Sequence, residues 1–246
     1  MVIDDTRFTR VDSLEVLGAG LSETAASLDS IKFCIRKAWQ HWFQRRSQLC
    51  RRRVPLSKRI GRYLSTVGLT LLHGTEGILL TQRVVKEVQA FDRHCLREML
   101  CMKKPGLMGW TEFRRRQHRI LRRTFSGMRR LELTGQLLKK QHGWAGHVAR
   151  MNPEHLAAQW ARGTCLETWR MLQAVGQCLD SRSQRGTWRH TRAGPVRRWD
   201  TILNRSHGAD WLEMAQDRDA WKLQCSDFVN RAATVLLGSG HRLFGT

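Results

Sequence analysis

The feature of this sequence that most limits its fold is the spacing of its apolar residues at three- and four-residue steps. Ile31, Ile35, Trp39 and Trp42 begin this pattern, which is the repeat of one face of an α-helix. Further segments with the same period follow, separated by turn-forming sequences such as "HGTEG" and "KKPG". We therefore predict a mostly α-helical fold, an irregular helical bundle that ends in a C-terminal helical module.

The first 30 residues do not share this helical period. They form the acidic part of the chain, and "SLEVLGAGLS" has the short apolar run followed by glycine that is typical of the end of a strand. The sequence predicts a small N-terminal β element here. Asp4, Asp5 and Asp12 also argue against a signal peptide and a mitochondrial presequence.

The balance of charge predicts a polyanionic partner. The chain has 43 lysine and arginine residues against 21 acidic residues, which gives a net charge of +22. Most of the excess is arginine, whose planar guanidinium fits phosphate in a forked geometry. On this ground nucleic acid is the leading partner, and an anionic membrane surface is the second. No apolar run approaches the roughly 20 residues of a membrane span.

The densest basic stretch runs from Lys103 to Arg130, where ten basic residues accompany one acid, Glu112. Thr111 is the expected N-cap of an arginine-rich helix in this stretch. A charge run is usually a solvated helix face, but such a face normally interleaves acids with bases. Because those acids are missing, the composition favours nucleic-acid binding. The segment 181–198 has no helical period and predicts an exposed basic arm.

Patterns typical of metal sites and enzymes are missing from the sequence. The seven cysteines include no C-x-x-C pair, which argues against a secreted disulfide framework and favours a reducing compartment. Cys165, Cys178 and His190 are too far apart for a compact zinc site. There is no P-loop, G-x-S-x-G or H-E-x-x-H motif. We predict no metal ligand and no catalytic residue.

The segment "HGWAGHVARM" interrupts the amphipathic pattern with glycines and histidines. Gly143 and Gly146 each cost a helix about 1 kcal/mol relative to alanine, so they predict a close approach by another backbone. Trp144 would anchor that contact. For His147 the pattern favours packing, with contact to RNA as the second interpretation and metal or acid–base chemistry as the third. We expect His142 to be exposed.

Several segments occur in an order that resembles one family of enzymes. The segments are "SLEVLG", "LLHGTEGI", "FDRHCLREML", "HGWAGHVARM", and "AGPVRRWDTIL" followed by "WLEMAQDRDAW". They are similar to successive motifs downstream of the polymerase active site in reverse transcriptases of non-LTR (LINE-type) retrotransposons, of the kind abundant in dinoflagellate and other protist genomes. The match spans nearly the whole chain. His73 and Gly77 depart from the family's usual tyrosine and tryptophan region, which suggests a divergent copy.

The resemblance implies a division of the chain into five parts. These are a strand from the end of the palm at 1–30, a thumb-like helical domain at 31–130, a post-thumb helical segment with a W-x-G-H-x-x-R motif at 131–180, the basic arm at 181–198 and a tryptophan-rich helical module at 199–246. Its structural motif residues are Trp144, Gly146, His147, Trp199, Trp211 and Trp221. In the last module, Asp210 and Glu213 are spaced as a helix capping box.

The same resemblance implies that the chain grips a nucleic-acid backbone without an intact polymerase site. Asp4 and Asp5 resemble the family's Asp-Asp pair, but they lie too close to the "SLEVLG" strand and lack an upstream strand with a third carboxylate. We therefore expect Mg²⁺ only where a complete polymerase is present. The predicted contacts to RNA or DNA are Arg51, Arg52, Arg53, Lys58, Arg59, Arg62, Arg114, Arg115, Arg116, Arg119, Arg122, Arg123, Arg150, Arg197 and Arg198.

The expected partners are RNA or DNA and the polymerase portion that the family places upstream, with no membrane. The expected location is the nucleus, or a cytoplasmic ribonucleoprotein. The alternative is a protein of another class: a host basic helical adaptor that binds chromatin or ribonucleoprotein through the same arginines and has no enzymatic activity. Whether the gene continues upstream into a polymerase palm would separate the two.

Overall fold

The computed structural model describes residues 27–155, 158, 201–208, 210–238, 243 and 244, together with the backbone of short strands between positions 2 and 22. The described chain is mostly helical, which confirms the predicted fold class at that level. The strands form antiparallel hairpins: β1 (Val2–Ile3) pairs with β2 (Thr6–Arg7), and β3 (Ser13–Val16) pairs with β4 (Ala19–Ser22). Their relation to a polymerase palm stays a prediction.

The helical part begins with α1 (Ser27–Leu49) and turns at Pro55 into a second helical segment. This segment consists of α2 (Leu56–Tyr63), one wider π-helical turn (Leu64–Gly68) and α3 (Leu69–Leu72). A π-helical turn accommodates an extra residue without ending the helix. The apolar period of the sequence therefore predicted the helix, but not the irregular turn inside it.

Helix α4 (Gln82–Leu100) lies beside α1, and the carboxyl ends of the two helices are joined. The Arg46 guanidinium pairs with the Glu98 carboxylate at 2.7 Å at that end. At the opposite end, the backbone N–H of Leu79 donates to the hydroxyl of the first residue of α1 at 3.2 Å. The Thr81 hydroxyl caps α4 by accepting from the N–H of the third helical residue.

The two helices that follow are α5 (Trp110–Met128), which carries the arginine-rich stretch, and α6 (Leu133–Ala149), which carries most of "HGWAGHVARM". The prediction that Thr111 caps α5 is wrong. The N-cap position is occupied by Gly109, two residues before the predicted cap, so Thr111 lies inside the first turn of the helix. Helix α5 ends abruptly because Arg129, the residue after it, takes a left-handed conformation with φ 50°. Only a short connection therefore separates α5 from α6.

The C-terminal helices are α7 (Thr201–His207), α8 (Trp211–Met214), α9 (Arg218–Leu223) and α10 (Cys225–Leu237). The predicted capping box at Asp210 and Glu213 is wrong, because the Asp210 side chain makes no capping hydrogen bond. Helix α9 is capped instead by the Asp217 carboxylate, which accepts from the N–H groups of Asp219 and Ala220 at 2.9 and 3.1 Å.

One hydrophobic core runs through the described residues, from Ile31 to Phe244. The Phe244 ring lies 5.5 Å from the ring of Phe125 in α5, and the Arg93 guanidinium of α4 lies 4.2 Å from the Phe244 ring centroid. The Phe244 carbonyl accepts from the Glu132 N–H at 3.2 Å. A residue near the end of the chain thus packs between the helices that carry the basic surface.

A buried polar cluster fixes the start of α6. Tyr63 Oη donates to Asp92 Oδ1 at 2.9 Å, and the Leu133 N–H donates to Asp92 Oδ2 at 3.1 Å. Arg93 Nη2 donates to the two oxygens of Glu132 at 3.2 and 3.0 Å. Burial raises the pKa of Asp92 to about 6 and the pKa of Glu132 to about 7. These contacts hold α2, α4 and α6 together around paired carboxylates.

Candidate nucleic-acid interface

The outer face of α5 is arginine-rich because the helix needs only one buried stripe. Phe113, Gln117, Leu121 and Phe125 are buried at four-residue spacing, and the helix packs against α2 and α4. A helix makes one turn in 3.6 residues, so a stripe of this width leaves its other sides to solvent. The exposed arginines on those sides are Arg114, Arg115, Arg116, Arg119, Arg122 and Arg123.

The positive charge of this face is not balanced by neighbouring carboxylates. Glu112 is the one acid in α5, and it lies in the first turn, where its charge also complements the helix dipole. Across the described residues, the ion pairs involve basic residues of other helices: Arg46, Arg93, His94, Lys140 and Lys222. The exposed arginines of α5 therefore keep their charge available for an anionic partner.

A surface hollow brings together basic residues from three separate segments. It is lined by Arg52 from the α1–α2 loop, Lys103 from the α4–α5 loop and Arg116 from α5. The Arg52 guanidinium donates to the Cys101 carbonyl, which ties the two loops together. Arg51 and Arg53 are exposed beside it. Basic side chains that are far apart in sequence thus converge at one place.

A second concave region lies between α4 and α5. It is lined by Arg93 and Arg97 of α4 and by Arg114, Arg115 and His118 of α5. Burial, and then repulsion from Arg114 and Arg93, lowers the pKa of Arg97. An anion in this cleft would relieve that repulsion. Arg93 and Arg97 were not predicted from the sequence, although their four-residue spacing in "FDRHCLREML" places both on one helix face.

Helix α2 extends the basic surface, since it also packs against α5. Lys58 and Arg62 are exposed on α2. Arg130, just after α5, places its Nη1 atom 4.0 Å from the position that a β-carbon at Gly61 would occupy. The predicted contacts in 51–62 and those in 114–123 therefore belong to neighbouring parts of the fold.

Arg59 is a correction to the predicted interface. It is 6% exposed, and its guanidinium donates to the carbonyls of Val54 at 2.9 Å and Leu49 at 3.3 Å, and to the Met99 carbonyl. These carbonyls lie at or beyond the carboxyl ends of α1 and α4, where helices leave acceptors unpaired. Arg59 therefore satisfies helix ends inside the protein, and its burial keeps it away from a phosphate at the surface.

His142 is a second correction, because it is buried rather than exposed. Its ring stacks on the Trp221 indole at 4.1 Å with an interplanar angle of 5°, and Trp221 Nε1 donates to the His142 carbonyl at 2.9 Å. His207 lies 5.4 Å away. Burial, with the nearby charge of His207, lowers the pKa of His142 to about 4. This histidine is a neutral core residue, and its partner comes from α9.

The other residues of "HGWAGHVARM" divide between packing and solvent. A β-carbon at Gly146 would lie 2.5 Å from two atoms of the Trp221 ring, so the close approach predicted there is made by an indole and not by a backbone. Trp144 is half-buried and packs against His147, which is exposed. The Arg150 guanidinium donates to the Ala215 carbonyl and so links α6 to the C-terminal helices.

Trp211 and Trp221 are buried in the core of the C-terminal helices. Other predicted site residues lie outside the described part of the chain, namely Arg197, Arg198 and Trp199, and so does the basic arm at 181–198. The rejected zinc candidates Cys165, Cys178 and His190 and the rejected polymerase candidates Asp4 and Asp5 also lie outside it.

The residue ranges that the structure describes contain neither a metal-binding cluster nor a membrane-spanning helix. No three or more histidine, cysteine, aspartate or glutamate side chains gather there in a group that could hold a metal ion. None of the helices in those ranges combines the length and apolar character needed to cross a lipid bilayer. Compared with family models, curated proteins and solved structures, the chain has no significant match.

Proposed function

We propose that this chain binds RNA or DNA through the basic face formed by α5, α2 and the loops at 50–55 and 101–109. The observation that carries the proposal is the hollow where Arg52, Lys103 and Arg116 converge from three segments. Arginine guanidinium groups bind phosphate oxygens in forked pairs, and several of them on one face match the successive phosphates of a nucleic-acid backbone. Because the contacts are to phosphate, binding is tolerant of base sequence.

In this proposal the chain is the thumb and post-thumb part of a non-LTR retrotransposon reverse transcriptase. The order of its motifs supports this assignment, and a thumb that grips primer and template would use a basic helical face of this kind. The polymerase carboxylates and Mg²⁺ would belong to the portion upstream. The proposed location is the nucleus, where such an enzyme meets its DNA target.

The proposal is tested by the salt dependence of binding to duplex nucleic acid. Each phosphate contact adds about 0.9 to the slope of log affinity against log salt, so six contacts cost about three decades between 50 and 200 mM salt. The test variant replaces Arg114, Arg115, Arg116 and Arg119 with alanine. It should lower the slope by about 3 to 4 units if each residue contacts a phosphate.

A matched control removes the same charge from another part of the molecule. Lys32, Arg36, Arg83 and Lys86 are exposed near the amino ends of α1 and α4, the end opposite the Arg46–Glu98 pair. Their replacement by alanine should leave the slope within about one unit of the parent value, since no contact is lost. A flat salt response of the parent, or equal slopes for the two variants, would show that the α5 face is not the binding surface.

A further inference from the structure

Trp110 is 63% exposed and lines another cleft between α4 and α5, separate from the concave region that is lined by Arg93 and His118. Large aromatic side chains dominate cores, and a tryptophan this exposed leaves apolar ring surface in water. The same cleft is lined by Arg97 and Arg114. Proteins that bind single-stranded nucleic acids combine an exposed aromatic ring with nearby basic groups, because the bases stack on the ring while the phosphates bind the cations.

The ring is held in place from below and from the loop. Phe113, which is buried, contacts it edge-on with 6.1 Å between ring centroids. Lys104 folds the preceding loop by donating to the Met108 carbonyl at 2.7 Å and to the Pro105 carbonyl at 3.2 Å. These contacts limit the conformational freedom of the Trp110 side chain before a ligand binds, so less side-chain entropy is lost on binding. A pre-positioned ring is better suited to stacking than a mobile one.

The charges around the ring select an anionic ligand. Lys104 Nζ and Arg114 Cζ lie 5.6 and 6.0 Å from the ring centroid. Both cations lie over the ring, at distances near the outer limit of about 6 Å for a cation–π contact, so these contacts are weak enough for a stacking base to replace them. The acid in the cleft, Glu98, is occupied by Arg46 at 2.7 Å and by His94 at 3.4 Å. The site therefore excludes cationic ligands and favours a base that carries a phosphate.

We propose that this cleft binds an unpaired nucleotide of a single-stranded RNA or DNA, with the base stacked on Trp110 and the adjacent phosphate bound by Arg97 and Arg114. The inference rests on the proposed function and adds a preference for single strands or overhangs to a surface that otherwise contacts only backbone. A base inside a duplex is already stacked on its neighbours, so it cannot use the indole.

The experiment compares three probes: a short single-stranded RNA, a DNA of the same sequence, and the duplex of that RNA with its complement. Trp110→Ala should weaken binding to both single strands by about 5- to 150-fold and change duplex binding by less than about twofold. Trp110→Phe should retain most of the affinity because phenylalanine keeps a stacking face. Trp110→Leu should resemble Trp110→Ala, because leucine is apolar but cannot stack.

Phe43→Ala is the matched control, since Phe43 is an aromatic residue on α1 that is 62% exposed and lies outside the cleft. It should leave all three affinities unchanged. Unchanged melting of Trp110→Ala, measured by circular dichroism, separates a binding defect from a folding defect, and Trp110→Phe provides a second variant with an intact core.

The results separate this inference from the proposed function. Equal loss on single strands and duplex, or no loss with Trp110→Ala, overturns the stacking site and leaves backbone binding intact. A parent that binds none of the probes overturns both.

Leu107 is also exposed in the preceding loop, so vesicles of phosphatidylserine and phosphatidylcholine are included. Trp110-dependent binding to these vesicles that is tighter than binding to single strands would overturn the nucleotide site in favour of a membrane surface.

Discussion

Helices α5 and α6 are neighbours in sequence and have opposite relations to the fold. α5 buries one narrow stripe and turns its arginines to solvent. α6 is buried over most of its length and contacts α3, α4 and the C-terminal helices. A helix that is buried on several sides determines packing, whereas a helix with one buried stripe can vary its other sides with little effect on stability.

This difference assigns separate roles to two motifs that both look functional in the sequence. The arginines of α5 are available to a partner, and the "HGWAGHVARM" segment of α6 receives Trp221 from a helix far along the chain. Substitutions in α6 should therefore change the free energy of unfolding and leave intrinsic affinity alone. Substitutions on the α5 face should do the reverse.

The largest effect is expected for Trp221→Ala, which removes the indole that packs on α6. The side chain is 2% exposed and donates to the His142 carbonyl. Its loss leaves a cavity, and burying a large aromatic residue is worth about 3 to 5 kcal/mol, so the free energy of unfolding in urea should fall by that amount. Leu223→Ala on the same helix is the control, because Leu223 is 81% exposed and should change stability by less than about 0.5 kcal/mol. Equal stabilities for the two variants would contradict the role given to α6.

The pH dependence of stability should distinguish the histidine of α6 from the carboxylates at its start. The pKa of His142 falls to about 4 in the folded protein, and its Nε2 atom has no hydrogen-bond partner among the described residues. As pH falls below the unfolded value near 6.5, the unfolded chain binds a proton that the folded chain does not, so stability is lost. Asp92 and Glu132 have the opposite effect on stability, because their pKa values are raised in the folded protein. The stability that these two carboxyl groups contribute is present at low pH and is lost as pH rises through about 6 to 7.

His142→Phe isolates the histidine, because it keeps an aromatic ring against Trp221 and leaves the carboxylates in place. Between pH 7 and pH 5 the stability of the variant relative to the parent should rise by up to about 2 kcal/mol. His207 is the nearest other titrating group, and Arg231 and Asp227 act on it in turn, so its own shift remains in both proteins. Urea unfolding at the two pH values measures the difference. Parallel pH profiles would mean that His142 accepts a proton in the folded state.

The sequence was sufficient to predict those features of α5 and α6 that depend on a local pattern of residues. The period of α5 and the lack of acids beside its arginines both lie within one segment, so the exposed basic face followed from the sequence. Arg59 and His142 were misassigned for a common reason. Their partners are the carbonyl ends of α1 and α4 for Arg59 and an indole 79 residues further along for His142, and no local pattern reports such contacts.

Gly146→Ala and Gly143→Ala should change stability in opposite directions. A β-carbon at Gly146 would lie 2.5 Å from Trp221 ring atoms. A β-carbon at Gly143 would have no neighbouring atom of the described residues within 4 Å. Overpacking costs about 1 to 3 kcal/mol and alanine regains about 1 kcal/mol of helix propensity, so Gly146→Ala should destabilise the protein by up to about 2 kcal/mol. Gly143→Ala should stabilise by roughly 0.5 to 1 kcal/mol. Thermal melts of the two single variants give the signs, and a stabilised Gly146→Ala would mean that Trp221 moves freely.

The smallest effect on stability is expected where the effect on binding is greatest. Replacing Arg114, Arg115, Arg116 and Arg119 with alanine removes exposed side chains that form no ion pair among the described residues. Alanine slightly favours the helix and mutual repulsion decreases, while the apolar stems of the arginines no longer cover the surface. These terms nearly cancel, so the free energy of unfolding should change by less than about 1 kcal/mol, even as the salt slope of duplex binding falls. A loss of more than about 2 kcal/mol would place these arginines with Arg59, as residues that hold helices together, and the contrast between α5 and α6 would then fail.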